Sequence, residues 1–318
     1  MKKYYLNLFV VVTLISCSSL KSQQKKEDEK LFTKGIAVFD IVEEGSFDYE
    51  LARLDTTSLE GKIKFKVLYD TREDILDTAL EYFEEIIKKH PKSNLYHKSL
   101  YNSAKISSLL DYENDEIKYL EMILKSKAND RENSGRNGIM SNPYANFKNE
   151  ASNRLTGIYI QKKDFETALK YKKINENYPL QHFCGNAYAE DEIHNAQLYG
   201  EIYKGLGDTK KAISYLLPHM FNNGLASNSN IIDFTVKLLK TEYTKERLID
   251  ELNNSIKHYY SRIEKRNDEE WTNYYIRFFN FEIEVPSWEI SYETDKKKIQ
   301  SLFKKVILNS EFYKKLNE

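Results

Sequence analysis

The residues with the most chemical potential in this 318-residue chain lie between positions 182 and 194, in the sequence HFCGNAYAEDEIH. Zinc accepts nitrogen, sulfur and oxygen ligands, so His182, Cys184 and His194 could bind it together with the three carboxylates between them. Alternatively, a thiolate at Cys184 could be a nucleophile if either histidine acted as its base. A third interpretation makes the segment a joint between helices, because its glycine–asparagine pair favours a turn and its acidic run suits a helix N-terminus.

The spacing of these residues favours the joint. Metal sites usually contain short ligand pairs such as Cys-x-x-Cys, and the segment has none. We therefore predict no metal site, no cofactor and no catalytic residue. A cysteine hydrolase that uses Cys184 with His182 or His194 stays as a minor alternative. A non-catalytic binding loop also stays open, because insertions in repeat proteins often lie on the partner-binding surface.

Cys17 is the second residue whose surroundings indicate chemistry. It follows two lysines near the N-terminus and an apolar run from Leu6 to Ile15, which is too short to span a bilayer as a lone helix. The sequence LISC that ends at Cys17 resembles the lipobox of bacterial lipoproteins. The resemblance implies that residues 1–16 are a signal peptide and that Cys17 is lipidated. Two or more acyl chains, such as palmitate, would give stable membrane attachment.

The residues after the lipobox bear on location. Residues 17–30 comprise the lipidated cysteine and a polar run without apolar periodicity, which predicts a flexible tether. Ser18 follows the cysteine, and the absence of an aspartate at this position favours sorting to the outer membrane. By analogy with lipoprotein sorting, we expect a lipid-anchored protein of the cell envelope, in the outer membrane and facing the periplasm.

The overall composition narrows the class of partner. The chain has 48 Lys+Arg against 49 Asp+Glu, so it lacks the basic excess that nucleic-acid binding requires. Glycine (11) and proline (5) are scarce for an all-β chain with many tight turns. The apolar content of 41% is typical of a chain that folds.

The elements that must position these residues are predicted to be helices, because apolar residues recur at helical spacing from residue 72 onward. The pattern resembles tetratricopeptide (TPR) repeats, which are helix–turn–helix units of about 34 residues. The matching positions are Tyr159, Phe165 and Ala168 in one unit, and Gly200, Tyr203, Gly207 and Ala212 in the next. The resemblance implies an all-α fold, an α-solenoid of helix–turn–helix pairs.

Departures from this pattern define the predicted organisation. We expect a poorly patterned segment at 31–70, TPR-like repeats at 71–225 with inserted loops at 130–150 and 180–190, and a C-terminal helical region at 226–318. Helical spacing continues from Leu248 to Ile263. Alternation at 281–292 predicts a short strand or a folded loop, and the run 62–69 fits a strand and a helix equally well.

The expected function follows from the resemblance. TPR proteins bind partners on the concave face formed by the first helix of each pair. The polar residues that the resemblance places there are Asn153, Gln161, His194, Gln197, Glu201 and Lys204. We expect a membrane-tethered adaptor or scaffold that holds a protein or peptide partner, and no nucleic acid. A lipid-anchored immunity or inhibitor protein on the same scaffold is the alternative, and the oligomeric state stays open.

Overall fold

The structure is a computed structural model that describes residues 25–318 except 46, 135–141, 222–224, 267–268, 287–289, 291–292 and 294. The predicted signal peptide (1–16) and the predicted lipidation site Cys17 lie outside the described residues. The chain divides into two compact units, Met1–Asn129 and Asp130–Glu318.

The described part of the first unit is built from helices. In chain order these are α1 (residues 25 to 43), α2 (Phe47–Arg53), α3 (Leu59–Lys89), α4 (Tyr96–Leu109) and α5 (Glu113–Lys125). The run 62–69 is therefore helical. Helix α1 also covers residues 25–30, which the sequence predicted as tether. Helix α1 packs through an apolar face. Phe39 and Val42 are buried on this face, and Phe32 packs edge-to-face on Phe83 of α3.

The second unit contains further helices and a small sheet. Its elements are α6 (Phe147–Gln161), α7 (Phe165–Asn175), α8 (Gly185–Gly205), α9 (Thr209–Leu216), a 3-10 turn (Leu217–His219), α10 (Ser229–Glu242), α11 (Lys245–Lys257), β1 (Tyr260–Arg266), β2 (Glu269–Phe278), β3 (Phe281–Glu284), α12 (Lys296–Asn309) and α13 (Glu311–Asn317). The chain is thus mainly helical, but the all-α prediction is wrong in its C-terminal part.

Three pairs of helices are joined by the same tight turn: α4–α5, α6–α7 and α8–α9. One residue of each turn has a positive φ angle, and these residues are Asp111 (57°), Lys163 (59°) and Gly207 (81°). The next residue donates its backbone N–H to the carbonyl five residues earlier, at 2.8 to 2.9 Å. This left-handed turn satisfies the free carbonyls at a helix end and reverses the chain within a few residues.

The α8–α9 pair shows why a small residue is needed where two helices cross. A Cβ atom added to Gly200 would lie 2.8 Å from a methyl carbon of Leu216, closer than ordinary van der Waals contact. The side chains of Leu216 and Ala212 are fully buried opposite α8. Glycine at this crossing therefore lets a leucine fill the space between the two backbones.

The sheet is antiparallel, in the order β1–β2–β3. Strands β2 and β3 are joined by Phe279 and Asn280, both at positive φ (47° and 69°), as a two-residue hairpin turn requires. β3 lies within the predicted strand or loop at 281–292. The helix predicted from Leu248 to Ile263 is wrong at its end, because α11 stops at Lys257 and Ile263 lies exposed in β1.

The predicted inserted loop at 180–190 is shorter in the structure, because α8 begins at Gly185. The Tyr188 hydroxyl binds both the backbone N–H and the carbonyl of His182, and this closes the turn before the helix. In the predicted loop at 130–150, the Asp130 carboxylate accepts the N–H groups of Lys148 (2.7 Å) and Asn149 (3.1 Å) at the start of α6.

Candidate functional site

Lys172 is the most unusual residue of the helical pairs, because only 1% of it is exposed. It lies on α7, on the side that packs against α6 and α8. The turn of the next pair lies 44 residues further along the chain, and the residue that corresponds to Lys172 there is Leu216. A charged side chain thus occupies a position where the neighbouring pair buries a leucine.

Three carboxamide oxygens surround the Lys172 ammonium group. It donates to Oδ1 of Asn175 at 2.7 Å, to Oδ1 of Asn153 at 3.4 Å and to Oδ1 of Asn195. These acceptors come from α7, α6 and α8 respectively. An ammonium group has three donors, so the three oxygens match its hydrogen-bonding capacity. The contact therefore ties three helices together at one point.

A second layer of hydrogen bonds fixes the carboxamides. Asn175 donates to the carbonyl of Asn149 (3.1 Å) and to Oγ of Ser152 (3.0 Å). Asn149 in turn donates to the carbonyl of Tyr178 (2.7 Å). Because these amide nitrogens donate away from Lys172, the Asn175 carboxamide turns its oxygen towards the ammonium group. We call this set of Lys172 and the surrounding asparagines the lysine cluster; its members are Asn149, Asn153, Lys172, Asn175 and Asn195.

Two carboxylates balance the buried charge from the edge of the cluster. Asp191 accepts a hydrogen bond from Asn195 at 2.9 Å, and Glu176 accepts one from the Tyr199 hydroxyl. The Tyr199 ring also lies 5.6 Å from the ammonium nitrogen, within the range of a cation–π contact. A buried cation that has hydrogen bonds and nearby carboxylates can stay charged in the interior.

Burial sets the proton affinities of this site. Loss of solvent lowers the pKa of Lys172 to about 8, although the carboxylates of Asp191 and Glu176 oppose that shift. Burial raises the pKa of Asp191, and the Lys172 charge opposes that change. The pKa of His194 is lowered, first by desolvation and then by the Lys172 charge, although part of its surface is open to solvent. Near neutral pH, Lys172 is therefore a cation beside a neutral imidazole.

Two of the six predicted binding residues lie at this cluster. Asn153 supplies one of the three oxygen acceptors, and His194 follows Asp191 by about one turn of α8. The other four lie elsewhere on α6 and α8. Gln197 donates to Glu201 at 2.9 Å, the Lys204 ammonium lies 5.5 Å from the Phe234 ring, and Gln161 is exposed at the end of α6.

Three residues at the centre of the site, Lys172, Asn175 and Asn195, were not predicted from the sequence. A signal was present, because matching the two repeat units sets Lys172 against Leu216 and Thr156 against Gly200. A lysine at an apolar position of a repeat indicates either a snorkelling side chain or a buried polar site. The second is found here, because asparagines on two other helices supply its acceptors.

The segment 182–194 is divided between two environments. The backbone N–H of Cys184 donates to Nδ1 of His182 at 2.9 Å, and the His182 ring stacks on Phe183. His194 lies ten residues from Cys184 along α8, a helical rise of roughly 15 Å. Among the residues that the structure describes, no three His, Cys, Asp or Glu side chains are grouped so that they could hold a metal ion.

Two comparisons with known proteins found no match. The sequence matches no model of a protein family. A search of curated proteins also gave no match. Within the described ranges, no helix combines the length and the apolar character that crossing a membrane demands.

Proposed function

We propose that this chain is a membrane-anchored, TPR-like lipoprotein that acts as a protein-binding adaptor in the bacterial envelope. Its partner would bind to the face of α6 and α8 that the lysine cluster underlies. The TPR-like interpretation is supported by the repeated left-handed turn and by the small residue at Gly200, where α8 crosses α9. The anchor is supported by the lipobox-like sequence that ends at Cys17.

The observation that carries the proposal is the buried charge of Lys172. Transfer of an ammonium group out of water costs several kcal/mol, which a leucine at the same place would avoid. Apolar replacements of buried ionic groups are often neutral or stabilising. A lysine cluster in a pair whose neighbour uses Leu216 is therefore better explained by the polar surface it organises than by stability.

The cluster has a direct consequence for binding. The buried Lys172 donates hydrogen bonds to Asn153 and Asn195, and Asn195 in turn donates one to Asp191. Side chains that are fixed before association lose less conformational entropy when a partner binds. His194 lies on the same stretch of α8 and adds a neutral hydrogen-bonding group. The face is thus a preorganised polar surface that suits hydrogen bonding with a protein or peptide.

The test is capture of the partner from native membranes by the lipidated chain and by two variants. Lys172→Met removes the charge, with a side chain of similar length. Lys173→Met makes the same substitution at the next residue, which is exposed, and serves as the control. We expect a specific co-purifying protein to be kept by the wild type and by Lys173→Met, and lost by Lys172→Met.

Retention of the same protein by folded Lys172→Met would contradict binding at this face. The anchor is tested separately with Cys17→Ser, which we expect to abolish the incorporation of labelled fatty acid into the chain. A Cys17→Ser chain that stayed with the membrane through a detergent-sensitive, acyl-labelled attachment would contradict lipidation at this residue.

A further inference from the structure

The N-terminal half of α3 carries an apolar stripe that the rest of its unit leaves uncovered. Leu59, Ile63 and Val67 are 76%, 56% and 61% exposed. They are four residues apart, so they lie on one face of the helix. Single exposed apolar residues are common at surfaces, whereas three in a row on one helical face form a patch.

The neighbouring helix extends this apolar surface. None of the residues of α2 is buried, and Tyr49 on α2 is exposed. Between α2 and α3 lies a shallow groove of about 370 Å³. Its apolar lining residues are Leu54, Ile63, Val67 and Leu68. The stripe therefore has room beside it for another apolar surface to insert.

Lysines border the stripe on α3. Lys62, Lys64 and Lys66 are exposed, and the segment from Leu59 to Val67 holds one acidic residue, Glu60. Glu60 pairs with Lys64 at 2.7 Å, and Lys66 pairs with Asp70 at 3.0 Å. A short helical face with apolar residues at its centre and lysines at its margins is the pattern of a helix that lies in a membrane interface.

We propose that this stripe docks on the surface of an anionic bilayer, with its apolar residues in the headgroup region and its lysines against lipid phosphates. The position of the membrane rests on the proposed lipid anchor. Residue 25, where the described part of α1 starts, is eight residues from Cys17, a reach of at most roughly 28 Å. The first unit is therefore held close to the bilayer.

The described start of α1, which follows the proposed anchor in the sequence, and the stripe lie towards opposite ends of α3. Phe32, near the start of α1, packs on Phe83 with ring centroids 5.5 Å apart, in the C-terminal part of α3. Helix α3 has 31 residues and is roughly 46 Å long. Attachment at both ends lays α3 along the membrane. A second copy of the chain is a poorer occupant, because a two-fold interface would bring the lysines of both copies together.

The test uses the mature chain without its cysteine, residues 18–318, and vesicles of phosphatidylcholine with or without phosphatidylglycerol. We expect co-sedimentation with the anionic vesicles that weakens as salt is raised, because lysine attraction to lipid headgroups is screened. Replacement of Leu59, Ile63 and Val67 by serine should weaken binding roughly tenfold or more, since the apolar contact is removed.

A matched pair of single substitutions makes the test specific. Ile63→Ser is expected to weaken vesicle binding roughly threefold or more. Ile263→Ser makes the same change on β1, at a residue that is 66% exposed, and should leave binding unchanged. Both positions are exposed, so both variants should unfold at the wild-type temperature.

Three results would overturn the proposal. They are no binding by the wild-type chain, equal binding by the triple-serine variant, and a wild-type dimer in solution that the triple variant converts to monomer. The last result would assign the stripe to a second copy. The chain used in this test lacks Cys17, so its failure to bind would leave the lipid anchor intact. Likewise, loss of the anchor in Cys17→Ser would leave the vesicle result unchanged.

Discussion

The α6–α7 and α8–α9 pairs are built on the same spacing but fill their interiors differently. Each has a tyrosine before the turn and a buried alanine after it, Tyr159 and Ala168 in the first pair and Tyr203 and Ala212 in the second. In the second pair, Leu216 packs against Gly200. In the first, Lys172 lies among asparagines.

The difference shows what each pair does in the second unit. The α8–α9 pair belongs to an apolar core that continues into α10, α11 and the sheet, so its interior residues stabilise the fold. The α6–α7 pair uses the corresponding position for a cation that three amide groups must solvate. Because one scaffold supports both solutions, the helical pair itself does not require the lysine cluster. Each of the following experiments exchanges or perturbs one feature of the two pairs.

The largest effect is expected when the α8–α9 pair is given the residue of its neighbour. Leu216→Lys would bury an ammonium group among apolar side chains that offer no acceptors. We expect the free energy of unfolding to fall by about 3–5 kcal/mol, as measured by chemical denaturation. Leu216→Met is the control, since it keeps an apolar side chain of similar volume. A loss below about 1 kcal/mol for Leu216→Lys would mean that the two interiors are alike.

The next largest effect is the pH dependence of stability. Lys172 has a pKa of about 8 in the folded chain, below its ordinary value of 10.5. Between these values the unfolded state binds more protons, so protonation favours unfolding. The free energy of unfolding should therefore rise between about pH 8 and pH 10, by on the order of 2 kcal/mol.

The rise in the free energy of unfolding should end near about pH 10, where tyrosines of the unfolded chain ionise. The pKa of Tyr199 is raised, first by burial and then by its hydrogen bond to Glu176, so its effect on stability has the opposite sign. Denaturation curves at several pH values would show the rise. It should be absent in Lys172→Met, and its persistence there would assign the dependence to other groups.

A smaller effect is expected when the α6–α7 pair is made apolar. Lys172→Met removes the desolvation cost of the ammonium group but leaves three amide oxygens without that donor. These terms oppose each other, so we expect the free energy of unfolding to change by less than about 1.5 kcal/mol in either direction. A loss of about 4 kcal/mol or more, as for removal of one partner of a buried pair, would show that the cluster holds the fold together.

The smallest effect should be the same in both pairs. Asp164 accepts the N–H of Thr167 at 3.1 Å, and Asp208 accepts that of Lys211 at 3.0 Å, so each caps the second helix of its pair. Replacing either aspartate by alanine should cost about 1 kcal/mol in thermal or chemical unfolding. Costs that differ by more than about 1 kcal/mol would contradict the equivalence of the two turns.

Helical periodicity predicted the paired helices well, because local spacing determines them. Gly207 and Asp208 mark their turn in the sequence, as a left-handed residue followed by a helix cap. Strands β1 and β2 were missed for a physical reason. Ile263 continues the helical spacing of Leu252 and Ile256, but hairpin pairing, a non-local contact, decides its conformation.

The candidate site was predicted only in part. Asn153 and His194 were predicted as partner-binding residues because they lie at polar repeat positions of α6 and α8, and that role stays a prediction. Lys172 was not predicted, because the repeat spacing shows only that a lysine stands where the neighbouring pair has an apolar residue. The three acceptors that explain its burial lie on three helices, and each is within 23 residues of Lys172 along the chain. Only the packing of α6, α7 and α8 brings them together.

The most direct test of the account is an NMR titration of the Lys172 side chain in the folded protein. Lysine Cε signals would be followed from pH 6 to about pH 11, a range that spans both values of interest, and the Lys172 signal would be assigned by its absence in Lys172→Met. Because its ammonium group is buried among carboxamides, Lys172 should lose its proton at a pKa of about 8, at a lower pH than the exposed lysines. A Lys172 signal that titrated together with the exposed lysines, near 10.5, would contradict the buried cluster and the binding face proposed to rest on it.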